Sequence, residues 1–208
     1  MSRKTYIAIG IAAVLWFFMF SPWTAPHLNF WAAMSVSALI LSAMAEGFGR
    51  TSRQLRCTWK ELPLTLILGI GIAFVLWWGF RFGDWLSQQM FSFARPQVDL
   101  IYGMKDGNAG WLISLLLLFV IGPAEEFFWR GYVQRTLSET LNPNKAFIIT
   151  TLVYTLVHVP SLNLMLILAA LVCGVAWGGL YRLSPEKLPA ILLSHALWDA
   201  AAFVWFPL

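Results

Sequence analysis

Seven segments of the chain are apolar enough and long enough to cross, or nearly cross, a hydrocarbon core that needs about 20 helical residues: 5–21, 29–46, 62–82, 111–134, 146–159, 163–181 and 188–206. The fifth is short, so it either starts below the membrane surface or lies behind neighbouring helices. No long polar segment that could fold outside the bilayer interrupts the series. The expected fold is an all-α, polytopic membrane helix bundle of about seven transmembrane helices, organised as a single transmembrane domain over residues 1–208.

Composition agrees. The chain is 59% hydrophobic and 12% charged, whereas soluble domains carry about 25% charged residues. A net charge of +4 would fit a nucleic-acid partner, but the basic residues sit in short loops beside apolar spans, where membrane topology accounts for them. No nucleic-acid partner is implied. Cys57 and Cys173 lie in no metal or redox spacing. Arg3 and Lys4 precede an apolar stretch as in a signal peptide, but Pro22, Trp23 and Pro26 follow it where a small-x-small cleavage site would be, so the stretch reads as a retained first span.

Loops rich in Lys and Arg stay cytoplasmic. Arg3 and Lys4 hold the N-terminus inside; Arg50, Arg53, Arg56 and Lys60 mark the second loop, Arg130, Arg135 and Lys145 the fourth, and Arg182 and Lys187 the sixth. The first and fifth loops have neither residue type, and the third balances Arg95 and Lys105 against Asp84, Asp99 and Asp106. The alternation predicts a cytoplasmic N-terminus and an outer C-terminus. Within the third loop, Trp85, Leu86, Met90, Phe91 and Phe93 recur at roughly helical spacing, as in an interfacial amphipathic helix or an ordinary folded loop. Gly174 and Gly178 form a G-x-x-x-G pair that lets another helix approach closely, within the chain or between copies.

The fourth span carries Glu125, Glu126 and Arg130. An ionised residue at the centre of a span costs about 2.5–3.5 kcal/mol on translocon scales, so such residues are rarely incidental. Glu126 and Arg130 are four apart with the acid first, the favoured order for a helical ion pair, while Glu125 points about 100° away. One glutamate is thus neutralised and the other remains available as a general base. Tyr154 and His158 share a face of the fifth span, and His195 and Asp199 a face of the seventh. At 1.5 Å per residue, Glu125, His158 and His195 are expected at similar depths, on the order of 12–20 Å from the cytoplasmic surface. A lone buried histidine is more often a packing residue, and Glu126 with Arg130 reads equally well as a structural pair. Two glutamates, two histidines and an aspartate on three spans, with a summed insertion cost on the order of 10 kcal/mol, favour function.

The motifs Glu125-Glu126-Phe-Phe-Trp-Arg130, Tyr154-Thr-Leu-Val-His158 and His195-Ala-Leu-Trp-Asp199 resemble the E-E-x-x-x-R, F-x-x-x-H and H-x-x-x-N/D signature of the CAAX-processing endopeptidase and bacteriocin-immunity family of intramembrane proteases, also called Abi or CPBP. They stand in the family's order within 111–206; the first half of the chain matches only in being helical and apolar. The resemblance implies an endopeptidase in which Glu125 is the general base and holds the attacking water with His158, Glu126 and Arg130 support the site, and His195 and Asp199 stabilise the oxyanion. Tyr154 replaces the usual Phe and adds a hydroxyl to the site. Asp199 stands where the prenyl-protein endopeptidases have Asn, and an ionised Asp is a poor oxyanion donor.

Members of the family are described both as metalloproteases and as glutamic proteases. No H-E-x-x-H pair is present, although Glu125, His158 and His195 could supply zinc ligands; the expectation is a metal-free, glutamate-activated water. The implied partner is a membrane-associated protein or peptide in a lipid bilayer, and the chain's size suggests a prokaryotic enzyme of the bacterial inner membrane. The oligomeric state is not readable. Two other functions fit the same residues: a proton-coupled transporter, since intramembrane Glu, His and Asp also form proton relays, and a non-catalytic immunity or scaffold protein.

Overall fold

The computed structural model describes residues 2–208. Within the hydrocarbon region a backbone has no water to bond, so a spanning segment must satisfy its own N–H and C=O groups. The described residues accordingly form helices and no strand. In chain order these are α1 (Arg3–Phe20), α2 (Phe30–Gly49), α3 (Leu62–Met90), α4 (Ala94–Gly103), α5 (Gly110–Thr140), α6 (Pro143–Leu156), α7 (Leu164–Leu183) and α8 (Pro185–Trp205). Side-chain caps satisfy free N–H groups at four helix starts: Ser2 accepts from Thr5, Asn29 from Ala32, Asn142 from Lys145 and Asn163 from Leu166.

Six of these helices are long and apolar enough to cross a membrane, one fewer than the seven segments predict. The exception is α6, whose 14 residues reach roughly 21 Å against a core of about 30 Å. It does not hide behind its neighbours either: Ile148, Leu152 and Leu156 form an exposed apolar face. Pro160 and the left-handed backbone at Leu162 (φ 52°) follow it and turn the chain into α7.

The third span also differs. No break occurs at residue 82; α3 runs for 29 residues to Met90. Trp85, Leu86 and Met90 therefore continue a transmembrane helix that outlasts the core by some turns, and Phe91 and Phe93 fall in the turn after it. The separate short helix is α4, which lies across this end of the bundle. Its Gln97 carbonyl accepts from Asn163 Nδ2 at 2.8 Å and its Gln97 side chain accepts from the Met165 N–H at 3.1 Å.

The bundle has two chemically distinct ends. At one, Arg135 Nη2 donates to the Gly49 carbonyl (2.6 Å), Tyr181 Oη donates to Gln54 (2.7 Å), and Arg182 pairs with Asn144. At the other, Trp31 Nε1 donates to the Met104 carbonyl (2.9 Å), Lys105 Nζ to the Phe203 carbonyl (2.9 Å) and Tyr102 Oη to the Ala202 carbonyl (2.8 Å).

The G-x-x-x-G pair is consumed within the chain. Built Cβ atoms on Gly174 and Gly178 would meet Thr151 at 3.0 Å and Phe147 at 3.2 Å, both on α6. Closer still is Gly122 on α5, where a Cβ would stand 2.7 Å from Ala196 Cα and 2.9 Å from Ala196 N on α8. Two helix backbones touch there, one residue from His195.

Candidate active site

The glutamate pair lies between two wide turns of α5. π-helical bonding runs over Leu117–Ile121 and again over Trp129–Gln134, leaving Gly122–Phe128 as regular helix. Pro123 accounts for the first: it has no N–H to give and its ring would crowd the carbonyl four residues back, so the ladder widens.

The two carboxylates have separate surroundings. Glu126 is fully buried, and its Oε1 accepts from Arg130 Nη1 at 2.8 Å and from His195 Nδ1 at 2.8 Å. Arg130 Nη2 donates in turn to the Cys173 carbonyl of α7 (3.2 Å), and its guanidinium lies 4.8 Å from the centre of the Tyr154 ring. Glu126 thus ties three helices together, a wider role than the expected pairing with Arg130 alone. Glu125 accepts a single hydrogen bond, from Tyr154 Oη to Oε2 at 2.9 Å. The hydroxyl that distinguishes Tyr154 from phenylalanine is therefore bonded to the carboxylate that the motif resemblance makes the base.

His195 is clamped on three sides. Besides Glu126 on Nδ1, its ring stacks on Trp177 (centroids 3.8 Å apart, 19° between planes), and its Nε2 lies 3.5 Å from Asp199 Oδ1. That last separation is too long for a strong hydrogen bond. Trp177 is itself fixed by donating to Ser194 Oγ at 2.9 Å.

His158 sits differently from what the resemblance implies. Its Nε2 accepts from the indole N–H of Trp16 at 3.2 Å, and its Nδ1 lies 2.7 Å from the Tyr154 carbonyl. An indole N–H can only donate, so Nε2 is the acceptor and Nδ1 carries the proton. Both nitrogens are then engaged by the chain, and neither is offered to a water beside Glu125.

A cavity of about 470 Å³ brings these groups to one space, lined by Glu125, Tyr154, His158, His195 and Asp199 among mainly apolar residues including Phe80, Leu117, Ile121 and Trp198. The residues do not make a zinc site as arranged. Among the described residues no three His, Cys, Asp or Glu side chains are placed to hold a metal ion, and the nitrogens of His158 are already bonded.

Residues 107–201 match the family model described as Type II CAAX prenyl endopeptidase Rce1-like. The matched segment contains all three motifs, so the family resemblance they carry is shown for the part of the chain that carries it. Neither curated proteins nor solved structures gave a match. Together with the match, six helices long and apolar enough to span a bilayer indicate an integral membrane protein, of which residues 107–201 are similar to CAAX-type proteases. Trp16 lies outside the matched segment and Trp177 inside it. Sequence reasoning picked out neither, because nothing separates them from the other tryptophans among the 12 in the chain.

Proposed function

We propose that the protein is an intramembrane endopeptidase that hydrolyses a peptide bond of a membrane-anchored protein or peptide with a water activated by Glu125. The observation that carries this reading is the unequal treatment of the two glutamates: Glu126 is held through Oε1 by both Arg130 and His195, while Glu125 keeps one neutral donor and faces the cavity.

In this reading Glu125 takes a proton from water, the resulting hydroxide adds to the substrate carbonyl carbon, and Glu125 then returns the proton to the departing amine nitrogen as the carbon–nitrogen bond breaks. Tyr154 holds Glu125 in position and replaces His158 as the second group beside the water. His195, carried as an imidazolium between Glu126 and Asp199, presents Nε2–H to the oxyanion. Asp199 acts through His195 rather than on the substrate. In this reading no step runs through a metal. We place the protein in a prokaryotic plasma membrane with its N-terminus cytoplasmic.

The test is hydrolysis of quenched-fluorescent peptides in proteoliposomes, one set anchored by a farnesylated C-terminal cysteine and one by an apolar C-terminal helix. General-base catalysis contributes about 10²–10⁴ in rate, so Glu125→Gln is expected to lower kcat by at least about 10². Full activity in that variant would exclude this mechanism.

A further inference from the structure

We infer that the cavity takes its substrate from the non-cytoplasmic face of the membrane, and that this substrate is a membrane-anchored polypeptide whose scissile bond lies at that face. The inference rests on the protease reading for its chemistry and on independent features for its direction.

Charge orients the bundle. Ten of the 14 lysines and arginines lie at the end formed by the N-terminus and the α2–α3, α5–α6 and α7–α8 connections: Arg3, Lys4, Arg50, Arg53, Arg56, Lys60, Arg135, Lys145, Arg182 and Lys187. At the opposite end Arg81, Arg95 and Lys105 are matched by Asp84, Asp99 and Asp106. The positive-inside rule makes the first end cytoplasmic.

The cavity extends to the other end, beneath α4 and between α3 and α7. Its walls include Phe20 at the end of α1, Phe30 at the start of α2, Ser87 late in α3, Met104 just past α4, Leu166 early in α7 and Phe203 late in α8. Toward the cytoplasmic end the path is filled: Phe128, Trp129, Arg130, Tyr132, Val133 and Leu137 are each at most 1% exposed. Gln54 Nε2 closes over them by donating to the Gly131 carbonyl at 2.7 Å. Glu125 stands 15 residues from the α5 terminus at Thr140, roughly 22 Å of packed helix.

A second recess, of about 510 Å³, adjoins the cavity at this end and shares Phe20, Phe30 and Trp31 with it. Asn29, Gln97, Asp106 and Asn108 stand among its mainly apolar lining, and these polar groups can hold water and the polar half of a cut peptide. A hydrolase whose base lies within the bilayer needs both. Tails processed on the cytoplasmic surface would have to cross the filled half of the bundle.

Cysteine labelling in cells expressing the full chain tests this. Native Cys57 is exposed in the basic α2–α3 connection and Cys173 is buried, so the unaltered protein reports the basic end. Ser87→Cys in a Cys57→Ser background reports the cavity mouth, with Gly83→Cys, where a side chain meets open space, as a second probe. A membrane-impermeant maleimide is expected to label the mouth cysteine in intact cells and Cys57 only in inverted vesicles. Blocking the mouth thiol should lower hydrolysis of the helix-anchored peptide at least tenfold. Labelling of Cys57 in intact cells, failure of both mouth cysteines to react there, or unchanged hydrolysis after the block would each overturn the inference. An inactive Glu125→Gln with the reversed labelling pattern would leave the protease reading standing and remove only its direction.

Discussion

The Glu126 carboxylate holds His195 by its Nδ1 at 2.8 Å, so the acid that seemed committed to its own helix also sets the orientation of an imidazole 69 residues away. Removing one partner of a buried ion pair costs about 3–5 kcal/mol because the other charge is left uncompensated. Glu126→Ala should therefore lower both stability and activity, whereas Glu125→Gln should lower activity alone. Thermal unfolding in detergent beside peptide hydrolysis separates the two; equal Tm losses would remove the proposed division of labour.

Tyr154→Phe restores the residue more usual in the family motif and deletes the only donor to Glu125 among the described residues. A hydrogen bond to a charged group contributes about 1.5–3 kcal/mol, so we expect kcat to fall between about tenfold and a hundredfold with KM little changed and Tm lowered. Unaltered kcat would mean that the hydroxyl is a bystander.

Trp16→Phe leaves His158 Nε2 buried without a donor, at a cost of about 1–3 kcal/mol. Because both nitrogens of His158 are engaged by the chain and neither is offered to the water, the expected result is a lower Tm with kcat for the folded fraction kept within a few-fold. A kcat loss as deep as that of Glu125→Gln would return His158 to the reacting atoms.

Gly122→Ala pushes a methyl into the Ala196 backbone, which cannot yield as a side chain can. Overpacking costs typically about 1–3 kcal/mol, and here the displaced element carries His195. We expect at least a tenfold loss of kcat, with Gly71→Ala, which meets nothing within 4 Å, as the silent control. Similar behaviour of the two would show that this contact does not set the site.

Activity should survive zinc chelators, because the histidines already have protein partners. Loss on chelation with recovery on added zinc would show that the ligands rearrange.

Much of this was legible before the structure because insertion cost is local: each apolar run and each ionisable residue within it can be read without knowing its neighbours. Glu126 with Arg130, and the shared depth of the three motifs, follow from helical spacing alone. The clamp of Glu126 on His195 and the bond of Trp16 to His158 are contacts between helices, and no periodicity within one helix encodes them. α3 runs past the expected end because Asp84 reads as loop, although a helix that clears the hydrocarbon can continue into polar surroundings. The fifth span, 146–159, reads as short from the sequence, and its helix stops at Leu156 because Pro160 forbids it to continue.

The brevity of α6 reaches beyond the protein into the lipid. Its exposed Ile148, Leu152 and Leu156 face acyl chains with a helix roughly 9 Å shorter than an average core, and a bilayer meets such a mismatch by thinning locally. The dimple would form on the side of the helix that delivers Tyr154 to Glu125, making the enzyme responsive to membrane thickness. Turnover measured across phosphatidylcholines of increasing chain length should decline toward the longer lipids, and a flat series would show that α6 leaves the bilayer undisturbed.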